Sequence, residues 1–334
     1  MNRGSLASIF RGALAPVAVL CSLGCGAAPA LPAGLTGEVV YVKNDQLYLF
    51  HLERRDERKL VELPAGAIAK DPVWSPDGQR VIFAMYPPPQ RGVPPGTDLY
   101  SVRRDGAELQ VLRQHTLAGE MLESPYFAPD GKSLVYSRFA PIVVNGQYTG
   151  DIIEIVRLDL ETGNVASLAR DAIQPTISPD GTKLAYIKVN PQTAAQSLWI
   201  ANLDGSSPRQ LVAEDQFVAL YWPRISPNGA EVTFAGAPIR SIREEGARRL
   251  VPFGLARPAL HGVPTDIFKV RTDGSPHHLL SKLQEDDPTT LWSADGRRLL
   301  VIGAKAFYTM TADGHELARL REPGGIGGGD WRGR

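Results

Sequence analysis

Residues Asp71 to Met85 read DPVWSPDGQRVIFAM. Near-copies follow as SPYFAPDGKSLVYSR from Ser124, QPTISPDGTKLAYIK from Gln174, WPRISPNGAEVTFAG from Trp222 and TTLWSADGRRLLVIG from Thr289. Such recurrence is the signature of a repeat architecture. Each copy describes a β-hairpin: an apolar strand ending at Trp74, Phe127, Ile177, Ile225 or Trp292, a four-residue turn, and an alternating strand such as Val81-Ile82-Phe83. In Ser75-Pro76-Asp77-Gly78, proline presets φ for a type I turn and glycine takes the left-handed conformation that leads back into the sheet. A second block, such as Leu198-Trp199-Ile200-Ala201 turning at Asp204-Gly205 into Arg209-Gln210-Leu211-Val212, reads as another hairpin. Each repeat is therefore a four-stranded antiparallel unit of roughly forty residues plus insertions, the size of a propeller blade.

The Ser-Pro-Asp-Gly hairpin, followed by a Leu-Tyr or Leu-Trp strand and an Asp-Gly turn, resembles the TolB-type propeller repeat, related to WD-repeat blades and to the propellers of prolyl oligopeptidases. The resemblance runs from Gly37 to about Leu320, with Ala128, Asn228 and Ala294 as tolerable departures in the turns. It implies an all-β fold and leaves activity open, since propellers host unrelated functions. TolB itself carries an α/β domain before its propeller, for which the stretch from Cys25 to Gly37 has no room, so only the propeller type is implied.

Composition fits one exported domain. A 334-residue chain is long for one core, but a propeller divides its core among blades. A formal net charge of zero argues against nucleic acid as a partner. Residues 1–30 read as a targeting segment: Arg3 and Arg11 open it and Ala13 to Leu23 is an apolar run too short to span a bilayer. Ser22-Leu23-Gly24-Cys25 resembles a bacterial lipobox, which implies lipidation at Cys25; Gly26 after it points to the outer membrane. The alternative is soluble secretion after Ala28-Pro29-Ala30. Cys21 and Cys25 are the only cysteines, so the mature domain is expected to hold no disulfide and no thiolate metal site.

Blade one begins at Gly37 to Val42, continues through Gln46 to Phe50 and ends at Lys59-Leu60-Val61, without an innermost strand. Propellers avoid open edges by pairing the chain ends in one blade. Trp331, in the tail Gly329 to Gly333, stands where Trp74 and Trp292 stand in theirs, and is expected to complete blade one. Five complete blades and this composite one make a six-bladed β-propeller, expected to be monomeric.

Strand parity separates two faces. The Ser-Pro-Asp-Gly and Asp-Gly turns share one face, and the insertions Tyr86–Thr97, Phe139–Gly150, Val189–Gln196 and Gly236–Thr265 share the other. Function usually sits on such loops. Candidate partner-binding residues are Tyr86, Arg91, Tyr148, Arg240, Arg243, Arg248, Arg249, Phe253, Arg257 and His261; arginine among apolar side chains suits an interface with an envelope protein or saccharide. Residues Ile239–Arg249 read equally as a short covering helix.

Asp71, Glu123, Asp171, Asp215 and Asp287 fall just before the inner strands, near the channel mouth. A ring of acids can hold a structural cation, but such residues also bond neighbouring N–H groups; no cofactor is expected. The six histidines are scattered, with His115 and His261 on the insertion face, and neither an H-E-x-x-H helix nor a G-x-S-x-G elbow occurs. The sequence reading is an envelope binding scaffold. Its alternative is a hydrolase or lyase using Asp71, Glu123 or Asp287 at the channel mouth.

Overall fold

The repeated turn forms as its composition dictates. Ser75 N donates to Arg80 O and Gly78 N to Ser75 O, closing the hairpin with Gly78 at φ 63°. The Asp77 carboxylate accepts the Ser75 hydroxyl at 2.6 Å and the Gln79 N–H at 2.9 Å. The same serine-to-aspartate bond recurs at Ser293 and Asp295, and Ser226 bonds Asn228 in its place. This is why Asn228 substitutes freely for aspartate.

The computed structural model describes residues 31–32, 35–239 and 263–333. Among the described residues, twenty-four strands form six four-stranded antiparallel sheets. Blade one joins β1 (Glu38–Lys43), β2 (Gln46–His51) and β3 (Asp56–Lys59) to the last strand of the chain. Blade two is β4 (Ile68–Trp74), β5 (Arg80–Tyr86), β6 (Asp98–Arg103) and β7 (Gln110–Arg113). Blade three is β8 (Met121–Phe127), β9 (Ser133–Val144), β10 (Gln147–Asp159) and β11 (Val165–Arg170). Blade four is β12 (Ala172–Ile177), β13 (Lys183–Val189), β14 (Gln196–Asn202) and β15 (Arg209–Val212). Blade five is β16 (Phe217–Ile225), β17 (Glu231–Pro238), β18 (Thr265–Arg271) and β19 (His278–Glu285). Blade six is β20 (Thr289–Trp292), β21 (Arg298–Ile302), β22 (Phe307–Thr311) and β23 (Ala318–Arg321).

The ring closes as expected: β24 (Gly329–Arg332) pairs antiparallel with β1, placing Trp331 opposite Val39. Trp331 is buried and its indole N–H donates to Thr36 O at 2.8 Å.

The core lies in the seams between blades, because successive side chains of a strand face opposite neighbours. Val40 and Val42 face blade two, packing with Val81, Phe83 and Met85. Tyr41 faces blade six and meets Phe307 edge-on at 4.9 Å. Arg321 covers that seam, 4.7 Å above the Phe50 ring and 2.8 Å from the Glu57 carboxylate.

Two sequence expectations need correction. The outer strand of blade one is Asp56–Lys59, a charged edge, because Leu60 turns inward to the core and donates its N–H to Leu47 O. Residues Phe139–Gly150 are also not an irregular loop. There β9 and β10 run past the rest of their blade as a two-stranded ribbon turning at Asn145-Gly146, both at positive φ, 51° and 77°. Asn-Gly is the dipeptide that a two-residue type I′ turn favours.

Candidate functional site

The innermost strands present one edge to the propeller axis, and their N–H groups need acceptors. Side chains of neighbouring blades supply them. Asp330 on blade one accepts Trp74 N at 2.9 Å, Asp71 on blade two accepts Ser124 N at 2.7 Å, and Gln174 on blade four accepts Trp222 N at 2.9 Å. The accepting positions Asp71 and Gln174, together with Ser124 and Trp222, each precede a proline and adopt φ between 51° and 54°. Pairing with the second strand shifts register at these four points. Left-handed backbone costs about 1–2 kcal/mol per non-glycine residue. Proline, which lacks a donor, is tolerated at such a bulge.

At this level Trp222 lies across the axis. Its indole N–H donates to Asp287 Oδ1 on blade six at 2.7 Å. Gly328, just before the last strand, packs beside the indole: a Cβ there would sit 3.4 Å from Trp222 Cη2 and 3.3 Å from Asp71 Cα. Trp222 is 5% exposed. Below it, Arg224 is buried with its guanidinium 5.7 Å from the Tyr126 ring of blade three, and its Nε has no hydrogen-bond partner. Between Trp222 and Arg224 remains a cavity of about 10 Å³, roughly one water molecule, lined also by Asp71, Ser124 and Gln174.

Burial dominates the acids here. It pushes the Asp287 carboxyl up to about 8, with nearby Asp71 adding to the rise and the Trp222 bond opposing it. Asp71 is raised to about 6 by burial and by Glu123, against the pull of Lys70 and the Ser124 bonds. Asp330 is raised by burial against its Trp74 bond and Arg224.

The five acids named from sequence therefore separate. Asp71 bonds Ser124 and Asp287 bonds Trp222 at the throat, and Glu123 is buried 3.9 Å from Lys70 Nζ. Asp171 is half-buried and uses its backbone, its N–H donating to Ile153 O and its carbonyl accepting Val189 N. Asp215 is exposed in the turn before β16. Asp71 and Glu123 lie inside strands rather than before them, because the inner strands begin before the bulge. Sequence reasoning missed Trp222, Gln174 and Arg224 as throat residues; the X-Pro dipeptide repeated in the inner strands was the available signal.

On the insertion face, Tyr86 is half-buried at the end of β5 and Arg91 is exposed in the proline-rich insertion. Tyr148 is exposed on the ribbon, its hydroxyl donating to Asp151 at 2.7 Å. Val143 and Val144 at the ribbon tip are 58% and 52% exposed. Three segments meet beside them: Gly119 N donates to Pro95 O, and a Cβ on Gly119 would lie 3.5 Å from Pro141. Val93, Leu117 and Ile142 are exposed as well. Arg240, Arg243, Arg248, Arg249, Phe253, Arg257, His261 and Cys25 lie outside the described residues.

No protein-family model matches the sequence, and no curated protein matches it. Among solved structures, TolB from Acinetobacter baumannii is similar at TM-score 0.65 and 15% identity over 91% of this chain and 68% of that one. A chain of a nidogen/laminin complex is similar at 0.61 and 11%, over 88% of this chain and 97% of the other. An oligogalacturonate lyase in complex with manganese is similar at 0.52 and 15%, over 82% and 70%. At these identities the likeness is one of fold, and it agrees with the strand order and closure described above. In fold, the chain is a TolB-like six-bladed β-propeller.

Proposed function

We propose that this propeller is exported, anchored in the bacterial envelope through a lipidated Cys25, and serves there as a protein-binding scaffold. The observation that carries the reading is where apolar surface is left uncovered. Of the thirteen large hydrophobic side chains exposed among the described residues, eight lie at the insertion end of blades two and three. Exposed apolar side chains gathered at one end of the fold suit a protein partner better than a saccharide. The ribbon holds them rigidly, with ladder pairing up to Val144 and Gln147, so little ordering entropy opposes binding. In sequence, the arginine-rich segment 240–262 joins β17 to β18, whose connected ends lie on the same face.

The test is capture from a native envelope extract with three proteins: the mature domain, a Val143→Lys variant, and one with Arg240–His261 replaced by a short linker. The expected result is a protein retained by the first and weakened about tenfold or more by Val143→Lys. Equal retention by all three contradicts the reading. One observation favours the catalytic alternative: two throat carboxyls, Asp71 and Asp287, have raised proton affinity, as general acids do. That reading requires Trp222 to leave the axis.

A further inference from the structure

The proline-rich insertion of residues 86–97 ends at Asp98, the first residue of β6, and His115 stands two residues beyond β7. Asp98 Oδ1 accepts the His115 backbone N–H at 2.7 Å and lies 2.6 Å from ring Nδ1. The other ring nitrogen, Nε2, lies 3.1 Å from the carbonyl oxygen of Pro94. The side chains of His115 and Asp98 are each 4% exposed, so bulk water replaces neither contact.

Both oxygens can only accept when Asp98 is ionised. A neutral imidazole has a single N–H, which serves one of them and sets a lone pair against the other; an imidazolium donates to both. The insertion backbone is drawn tightly onto this ring: a Cβ on Gly96 would come within 2.6 Å of His115 Cδ2 and 2.5 Å of Glu120 O. We infer that His115 is a proton-operated latch on Pro94, holding that carbonyl when the ring is charged and releasing it when the ring is neutral, while Pro95 and Thr97 stay tied to Gly119 and Glu120.

Other titratable and charged groups surround the latch without bonding its ring. Tyr100 shares β6 with Asp98, and Arg113 ends β7. Glu120, before β8, accepts Thr116 N, Leu117 N and Arg138 Nε, and Arg138 on β9 also reaches Glu154 on β10. Proton uptake at His115 therefore acts on Pro94 directly. The insertion carries exposed Arg91 and Val93. That the latch would regulate binding rests on the scaffold reading, whereas the latch itself does not.

The test needs no partner, so its failure and that of the scaffold reading are distinguishable. Ring ¹⁵N shifts of the full mature domain, labelled at histidine, are followed through about pH 5 to 8, where imidazoles change charge. Amide hydrogen exchange of Gly92, Val93 and Gly96, which flank the two prolines, is corrected for intrinsic rates and followed in parallel. The expected result is protection that falls about tenfold as His115 loses its proton, the loss of one hydrogen bond. His115→Gln should flatten the pH profile. Gly96→Ala, which pushes the backbone off the ring, should show the released level throughout. A ring that does not change charge in this range, protection that ignores the change, or an unaltered profile in His115→Gln would each overturn the latch.

Discussion

Removing Gly329–Arg334 lowers the unfolding temperature by about 10 °C or more. The segment supplies the whole innermost strand of blade one, so its loss leaves β1 with an open ladder edge at the axis. It also removes the Asp330 carboxylate that accepts Trp74 N, leaving a buried donor of blade two without its acceptor. Burial of an indole alone accounts for about 3–5 kcal/mol, and the stranded N–H adds about 1–3 kcal/mol. Together these approach the total stability of an ordinary domain. Trp331→Ala separates the two contributions, since it keeps the ladder and Asp330 and should recover part of the loss. Thermal unfolding of the three proteins checks this, and equal midpoints would remove the closure strand from the account of stability.

The second large effect is a stability that falls as pH rises. Asp287 has its carboxyl raised from 3.8 to about 8, so the folded chain keeps a proton that the unfolded chain releases. Below the ordinary carboxylate range both states are protonated and the buried acid carries no penalty. Through the window from there to about 8, each pH unit removes up to about 1.4 kcal/mol, and above it the loss is complete. Asp71, raised to about 6, acts in the same direction over a narrower window, and the two acids interact, so their losses do not add simply. The turn aspartates work oppositely and elsewhere: serine hydroxyls and backbone N–H groups hold Asp77 and Asp295 below the usual range, a stabilisation lost only in acid.

Asp287→Asn isolates the throat, because its amide oxygen still accepts the Trp222 indole N–H and never ionises. The variant should match the wild type near pH 4 and exceed it by a few kcal/mol near pH 8. Denaturant unfolding at both pH values decides. A variant no more stable than the wild type at the higher pH would contradict the assignment.

Much of the fold was legible because each blade repeats the same local chemistry. The Ser-Pro-Asp-Gly turn needs no tertiary context, and five copies fix the blade count once Trp331 is matched to Trp74. The strand ends were less legible. Leu60 looks like a strand residue from its neighbours, yet it belongs to the core between blades one and two, which sequence alone does not display. The ribbon was readable from Asn145-Gly146, whose turn preference outweighs the impression of a loop given by Pro141 and Gly150.

The throat was legible only in part. Asp71 and Asp287 drew notice as acids, but Trp222 and Gln174 occupy the equivalent place with unrelated chemistry. What the inner strands share there is a bulge before proline, a backbone property. The side chain at that position is free to cap the next blade, as Asp71 and Gln174 do, or to fill the axis, as Trp222 does. His115 was visible as a histidine on the insertion face, but its two acceptors, Asp98 and Pro94, are brought to it by the fold.

Site-specific photo-crosslinking in intact envelopes tests the scaffold most directly. One probe replaces Val143 at the ribbon tip and the other replaces Leu317, which is also exposed, on the face of the tight turns. The account predicts a discrete protein adduct from position 143 and none from 317. Adducts of equal yield from both positions, or from 317 alone, would contradict a partner docked on the insertion face.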